Sequence, residues 1–129
     1  MDLRTVTDRI LRIDDAMRYV GFVDNKGNIL YAKMNKEKVS LKTHAQEEIF
    51  AHDLAIMREM QDLLNQPMGK MTFVFLSREN LHQLIHYFDN FMLYVTLERY
   101  LDHDTVLKIA DKIQSTTASW LFKTISYNT

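Results

Sequence analysis

The sequence predicts an α+β domain: one five-stranded antiparallel sheet with helices on its faces, in the order α-β-β-α-β-β-β-α. Three observations carry this expectation. Apolar residues recur at helical spacing in segments 3–13, 45–64 and 109–121. Runs rich in β-branched and aromatic residues lie between them, joined by turns too short for parallel crossovers. Finally, 129 residues with 47% apolar content, three Gly and a single Pro suit one domain over 1–129 with no flexible linker.

The first helix is expected from Asp2 to about Asp14, because Leu3, Val6, Ile10 and Ile13 fall on one face. Arg18 to Val23 then reads as a strand leading into Asp24-Asn25-Lys26-Gly27, where Gly27 can take positive φ. The hairpin's second arm is Asn28 to Met34. A polar stretch dotted with lysines follows from Asn35 to Lys42 and reads as a solvated loop. Thr43 with Gln46 makes a capping box that opens a long helix. Ala45, Ile49, His52, Ile56, Met60, Leu63 and Leu64 share one face of it, and Pro67 with Gly69 is expected to stop it.

Met71 to Leu76 is apolar on both alternating faces, as in a strand covered on each side. Leu81 to Phe88 fits either periodicity and is assigned as a strand, since eight residues make a marginal helix and short turns join it to strand-like neighbours. In Phe91 to Glu98, residues 91, 93, 95 and 97 are apolar while the opposite face becomes polar, which indicates a strand against a core. Asp104 is placed to cap a last helix lined by Ile109, Ala110, Ile113, Thr117, Trp120 and Leu121.

Composition excludes several functions. Sixteen Lys plus Arg against seventeen Asp plus Glu leave a charge of −1, which offers no field for nucleic acid. The absence of Cys rules out disulfides and thiolate chemistry and is compatible with a reducing, cytoplasmic setting. No run near twenty apolar residues suggests a membrane span, and no leader peptide is recognisable. Glycines at 21, 27 and 69 alone cannot write a phosphate loop or a dinucleotide fingerprint, so no cofactor is expected by those routes.

The remaining chemistry is sparse. His82 and His86 would share a metal on a helix, but on a strand they stand about 13 Å apart, which removes them as a chelate. Glu48 and His52 face one another across a helical turn, where a surface hydrogen bond is the commoner outcome. His103 between Asp102 and Asp104 reads as helix-start polarity. Glu47, Glu48, Asp53, Glu59 and Asp62 read as a solvated acidic helix face around Arg58, and neither a catalytic triad nor an acid–base pair is assigned. An enzyme is not expected.

The element order and the segment Tyr19-Val20-Gly21-Phe22-Val23-Asp24-Asn25-Lys26-Gly27-Asn28-Ile29-Leu30 resemble the roadblock family of dynein light chains and GTPase-associated dimer modules. That family lies within the longin and profilin-like superfamily, and its first hairpin likewise ends an apolar strand in an Asp-containing, Gly-bearing turn. The resemblance implies a non-enzymatic scaffold or regulatory module, a dimer in which the long helix and the strand after it meet their equivalents, and a protein partner such as a small GTPase. It carries no catalytic motif. The long central helix and the lysine-dotted loop depart from the common form.

Physical reasoning adds residues to that picture. A two-faced apolar strand at a sheet edge invites uncontrolled pairing unless a second copy closes it. Met71, Phe73 and Phe75 are therefore the expected strand-pairing residues, with Phe50, Met57 and Met60 on a second surface of the helix. The same hairpin also suits a small-molecule sensor domain of the PAS or GAF type, in which sheet and long helix would enclose a pocket. That is the alternative function.

Overall fold

The computed structural model describes residues 2–128, with the side chains of His44 and residues 124–128 excepted. The chain runs α1 (Leu3–Leu11), β1 (Met17–Asp24), β2 (Ile29–Met34), α2 (His44–Asp62), α3 (Asn65–Met68), β3 (Phe73–Ser77), β4 (Leu81–Tyr87), β5 (Phe91–Glu98) and α4 (His103–Asn128). All strand neighbours are antiparallel, and the sheet order is β2-β1-β5-β4-β3. The expected α+β architecture is therefore present, with one short extra helix. The segment 81–88 that was open between two readings is strand β4.

Side chains alternate across the sheet and build a core on each side. On one side Val20, Phe22, Leu84, Leu93 and Val95 pack against Val6 and Ile10 of α1 and Ile109, Ile113 and Trp120 of α4. On the other, Tyr19, Val23, Ile85, Met92 and Tyr94 pack against Ala51 and Leu54 of α2. The residues opposite 91, 93, 95 and 97 on β5 are thus buried, because α2 covers them. Three layers result, with β5 and β1 in the dry middle and β2 and β3 at the edges.

Local chemistry explains the boundaries. Asp2 Oδ1 accepts from Arg4 N–H at 2.9 Å and caps α1. Asp24 Oδ1 accepts from Lys26 and Asn28 N–H, both at 2.9 Å, which folds the first hairpin around Gly27 at φ 88°. Gly27 is required twice over: a Cβ there would sit 2.8 Å from His52 Nδ1 and 2.9 Å from His52 Cα. The turn is pressed against α2.

The capping box of α2 forms as expected, with Gln46 N–H donating to Thr43 Oγ1 and Thr43 N–H to Gln46 Oε1. Three expectations need correction. Helix α2 ends at Asp62 rather than at the proline, and Pro67 lies within the first turn of α3, where its missing N–H has no intrahelical duty. Gly69, at φ 81°, then ends α3. The cap of α4 is Asp102, whose Oδ1 accepts from Thr105 N–H at 2.8 Å, so Asp104 lies inside the helix.

The third correction concerns which side of α2 faces inward. Ala51 and Leu54 are buried with Phe50 and Ala55 packed beside them, whereas Ile49, Ile56, Met60, Leu63 and Leu64 of the expected core stripe are exposed. Two alanines let the helix axis approach the sheet and the Gly27 turn closely, which larger residues would prevent. Arg58 secures this seating by donating to Asn25 Oδ1 at 2.9 Å and to the Phe91 carbonyl at 3.0 Å. Its guanidinium also lies 5.5 Å from the Tyr87 ring centre.

Candidate functional site

Two regions stand out, an exposed surface on α2 and β3 and a cleft between α2 and the sheet. On the surface, the outward side of α2 presents Ile49 at 61% exposure, Ile56 at 57%, Met60 at 65% and Leu63 at 83%. Met57 is exposed to a lesser extent on the same helix. Ile56, Met60 and the C-cap residue Leu63 follow one another at i, i+4 and i+7 on one side, with Ile49 two turns before Ile56 beyond the exposed His52 and Asp53. Beside it, β3 pairs with β4 only, so its outer backbone groups have no strand neighbour among the described residues.

The six residues expected at a dimer interface divide between positions. Met57 and Met60 lie on the outward side of α2. Phe50 turns toward the sheet, its ring centre 4.6 Å from that of Tyr94. Met71 precedes β3 and packs with the α2-side core, while Phe73 and Phe75 pack with the α4-side core. The structure brings Phe73 against His86 in a stacked pair and Phe75 edge-on to His82 and His103. Of the six, only Met57 and Met60 are exposed, while Phe50, Met71, Phe73 and Phe75 are half-buried.

The buried histidines make no metal site. His82 donates from Nε2 to the Leu101 carbonyl at 3.0 Å, and His86 Nδ1 lies 3.0 Å from Gln114 Oε1. Each has its other ring nitrogen without a partner among the described residues. Burial pushes the His86 pKa down, against smaller upward effects of Gln114 and Asp111. Among the described residues no group of three or more His, Asp or Glu converges for a metal.

The cleft has a volume of about 810 Å³ and is open to solvent between the loop 40–42, the first half of α2 and the β3–β4 turn. Tyr19 and Tyr94 rise from neighbouring strands β1 and β5, and Gly21 leaves the space that the Tyr19 ring occupies. Phe50 completes an aromatic box. Lys42 enters this box, with Nζ 4.3 Å from the Phe50 centre, 4.5 Å from Tyr94 and 5.7 Å from Tyr19. No carboxylate forms an ion pair with it among the described residues. Burial accordingly lowers the Lys42 pKa, with Arg78 pushing the same way and Glu47 opposing both, while burial raises those of Tyr19 and Tyr94.

The loop expected to be plainly solvated is therefore tied down at three of its four flanking or internal lysines. Lys33 pairs with Asp8 at 2.7 Å, Lys38 with Glu98 at 3.3 Å, and Lys42 fills the box. Arg18 holds both ends of the arrangement, donating to Glu98 at 2.5 Å and to the Val39 carbonyl at 2.6 Å. The sequence offered a pocket between sheet and long helix only as the alternative and did not give its residues, because the floor residues Tyr19, Gln83 and Tyr94 come from three strands whose order in the sheet is not readable from spacing. The one available signal was the pair of tyrosines at inward positions of strands.

Strand order, three-layer packing and helix placement can be compared with solved structures. The gliding protein mglB from Thermus thermophilus superposes with a TM-score of 0.71 at 15% identity, covering 90% of this chain and 85% of that one. A roadblock/LC7 domain from Streptomyces avermitilis gives 0.67 at 9% identity, covering 95% of this chain and 99% of that one. The fold is the roadblock/LC7 fold. Profilin IA of Acanthamoeba castellanii, at 0.59 and 11% identity over 92% of this chain, shows the wider profilin-like relationship of that roadblock fold. No protein-family model and no curated protein sequence matches the chain. Among the described residues, no helix is long and apolar enough to cross a membrane.

Proposed function

We propose that the chain is a non-enzymatic regulatory or scaffold module that works as a homodimer in the cytoplasm and presents a platform to a protein partner of the small-GTPase class. The observation that carries this reading is the exposed apolar side of α2 next to an edge strand with one neighbour. Covering that helix face with a second copy removes Ile49, Ile56, Met60 and Leu63 from water at once, and pairing β3 with its equivalent satisfies the open backbone. The solved MglB with a tetrameric arrangement supports self-association on this fold. The GTPase class rests on the sequence resemblance of the first hairpin. Sedimentation equilibrium of the unmodified chain tests the core of the proposal: a dimer mass is expected, and a strict monomer up to about 100 µM overturns it.

A second reading, the small-molecule sensor, is favoured by one specific observation: the cleft lies between sheet and long helix, where such a domain would hold its ligand. The two readings are compatible, and ligand binding by the native chain distinguishes them from a scaffold alone.

A further inference from the structure

The floor of the cleft contains a hydrogen-bond chain whose directions are fixed by chemistry. Arg78 Nε can only donate, and it donates to Gln83 Oε1 at 2.5 Å. The other end of the Gln83 amide is then Nε2, which donates to the Tyr94 hydroxyl at 2.6 Å. Lys42 Nζ, also solely a donor, approaches the same oxygen at 3.4 Å. The Tyr94 oxygen thus accepts from two sides, and its own hydrogen has no acceptor among the described residues. Tyr94 and Gln83 are both more than nine-tenths buried.

Three donors that line the cleft are therefore not used up: the Tyr94 O–H and the remaining Lys42 N–H groups at its floor, and the terminal nitrogens of the exposed Arg78, whose Nε is bound to Gln83. A buried hydroxyl hydrogen and an ammonium that has no ion pair among the described residues, offset only by the rings around it and by Glu47 at longer range, leave room for an acceptor, and a negatively charged one satisfies both. The walls beside them include the planar ring of Phe50 and the apolar side chains of Leu41 and Met34. Glu47, Asp53 and Glu79 also line the cleft and oppose a second negative charge. We propose that this cleft binds a small organic monoanion, a planar apolar body bearing one carboxylate, with the carboxylate held by Tyr94, Lys42 and Arg78 and the body laid against Phe50.

This assigns a ligand class to the sensor reading and rests on that reading; Ile49 borders both the cleft and the outward side of α2, but mass and ligand binding are read separately, so either measurement can fail without the other. The test is calorimetric titration of the full chain with 2-naphthoate, 2-naphthyl phosphate and 2-naphthylmethylammonium. Naphthoate is expected to bind, the phosphate more weakly, and the ammonium not at all. Tyr94→Phe, which keeps the ring and removes the hydroxyl, and Arg78→Gln, at an exposed position, are each expected to weaken naphthoate about ten-fold. Lys42→Met is expected to weaken it further; should that variant fold poorly, the other two still decide. No heat or chemical-shift response to naphthoate at about 10 mM overturns the proposal. So does equal binding of the ammonium probe, or unchanged affinity in both Tyr94→Phe and Arg78→Gln.

Discussion

Replacing Met60 by Glu places a carboxylate in the last turn of α2, on its outward side, and the structure sets the size of the effect. Met60 retains 65% of its surface in the single chain. Full burial of such a side chain is worth about 1.5–3 kcal/mol, so a covering partner gains about 1–2 kcal/mol from it. A two-fold axis counts the residue twice, which makes about 2–4 kcal/mol, before any cost of bringing two carboxylates into a dry contact. A loss of about 3 kcal/mol weakens the dimer roughly 100-fold. The monomer is spared: Glu is a good helix former, and an exposed substitution usually changes stability within about 0.5 kcal/mol. Sedimentation equilibrium across a concentration series reads the dimer constant, and circular dichroism confirms that the helix content is kept. A folded Met60→Glu variant whose dimer constant stays within about three-fold of the parent would refute the assignment of this face. Phe73→Asp is a poorer probe, because Phe73 stacks on buried His86 and its loss damages the fold itself.

Two further outcomes follow from buried contacts. Gly27→Ala is expected to destabilise the chain by about 3 kcal/mol in urea melts, since it combines left-handed backbone with a Cβ 2.9 Å from His52 Cα; a loss below about 1 kcal/mol would show that the turn is not pressed on α2. Stability is also expected to fall as the pH is lowered through the His86 range. The unfolded chain takes up a proton near the ordinary value of 6.5, whereas burial holds the folded-state pKa below it. The contribution is therefore complete above about pH 6.5 and declines as the pH falls from there through the depressed folded value. Urea midpoints from about pH 7.5 to 5 measure it, and His86→Phe should flatten that segment of the profile. An identical profile in the variant would remove His86 as its source.

Most of the architecture was legible because two signals are local. The hairpin at Asp24–Asn28 is specified by a side chain bonding its own backbone, and the start of α2 by a reciprocal pair three residues apart. The strands were found from several local signals: Phe91–Glu98 from its apolar positions at every second residue, Phe73–Ser77 from an unbroken apolar run, and Leu81–Tyr87 from its shortness and the tight turns on either side. The cleft was not legible, since Lys42, Gln83 and Tyr94 meet only after β5 has inserted between β1 and β4. The fate of the loop lysines was hidden in the same way: Lys33 finds Asp8 and Lys38 finds Glu98 across long stretches of chain.

The misplaced face of α2 has a different origin and says more about function. Periodicity reports that apolar residues share a helix face, but not which surface covers them. On α2 the longer stripe is 45, 49, 56, 60 and 63, and the face that meets the sheet is built from smaller pieces, Ala51 and Ala55 around Leu54. A helix that only roofed its own sheet would need the second of these and would carry polar residues throughout the other side, where α2 has His52 and Asp53 but also Ile49, Ile56 and Met60. Exposed Ile and Leu on a regular repeat bring no packing benefit to a lone chain and favour aggregation. The regularity of the stripe, which made it look like the core in the sequence, is thus the physical reason to expect that it is buried against a second molecule.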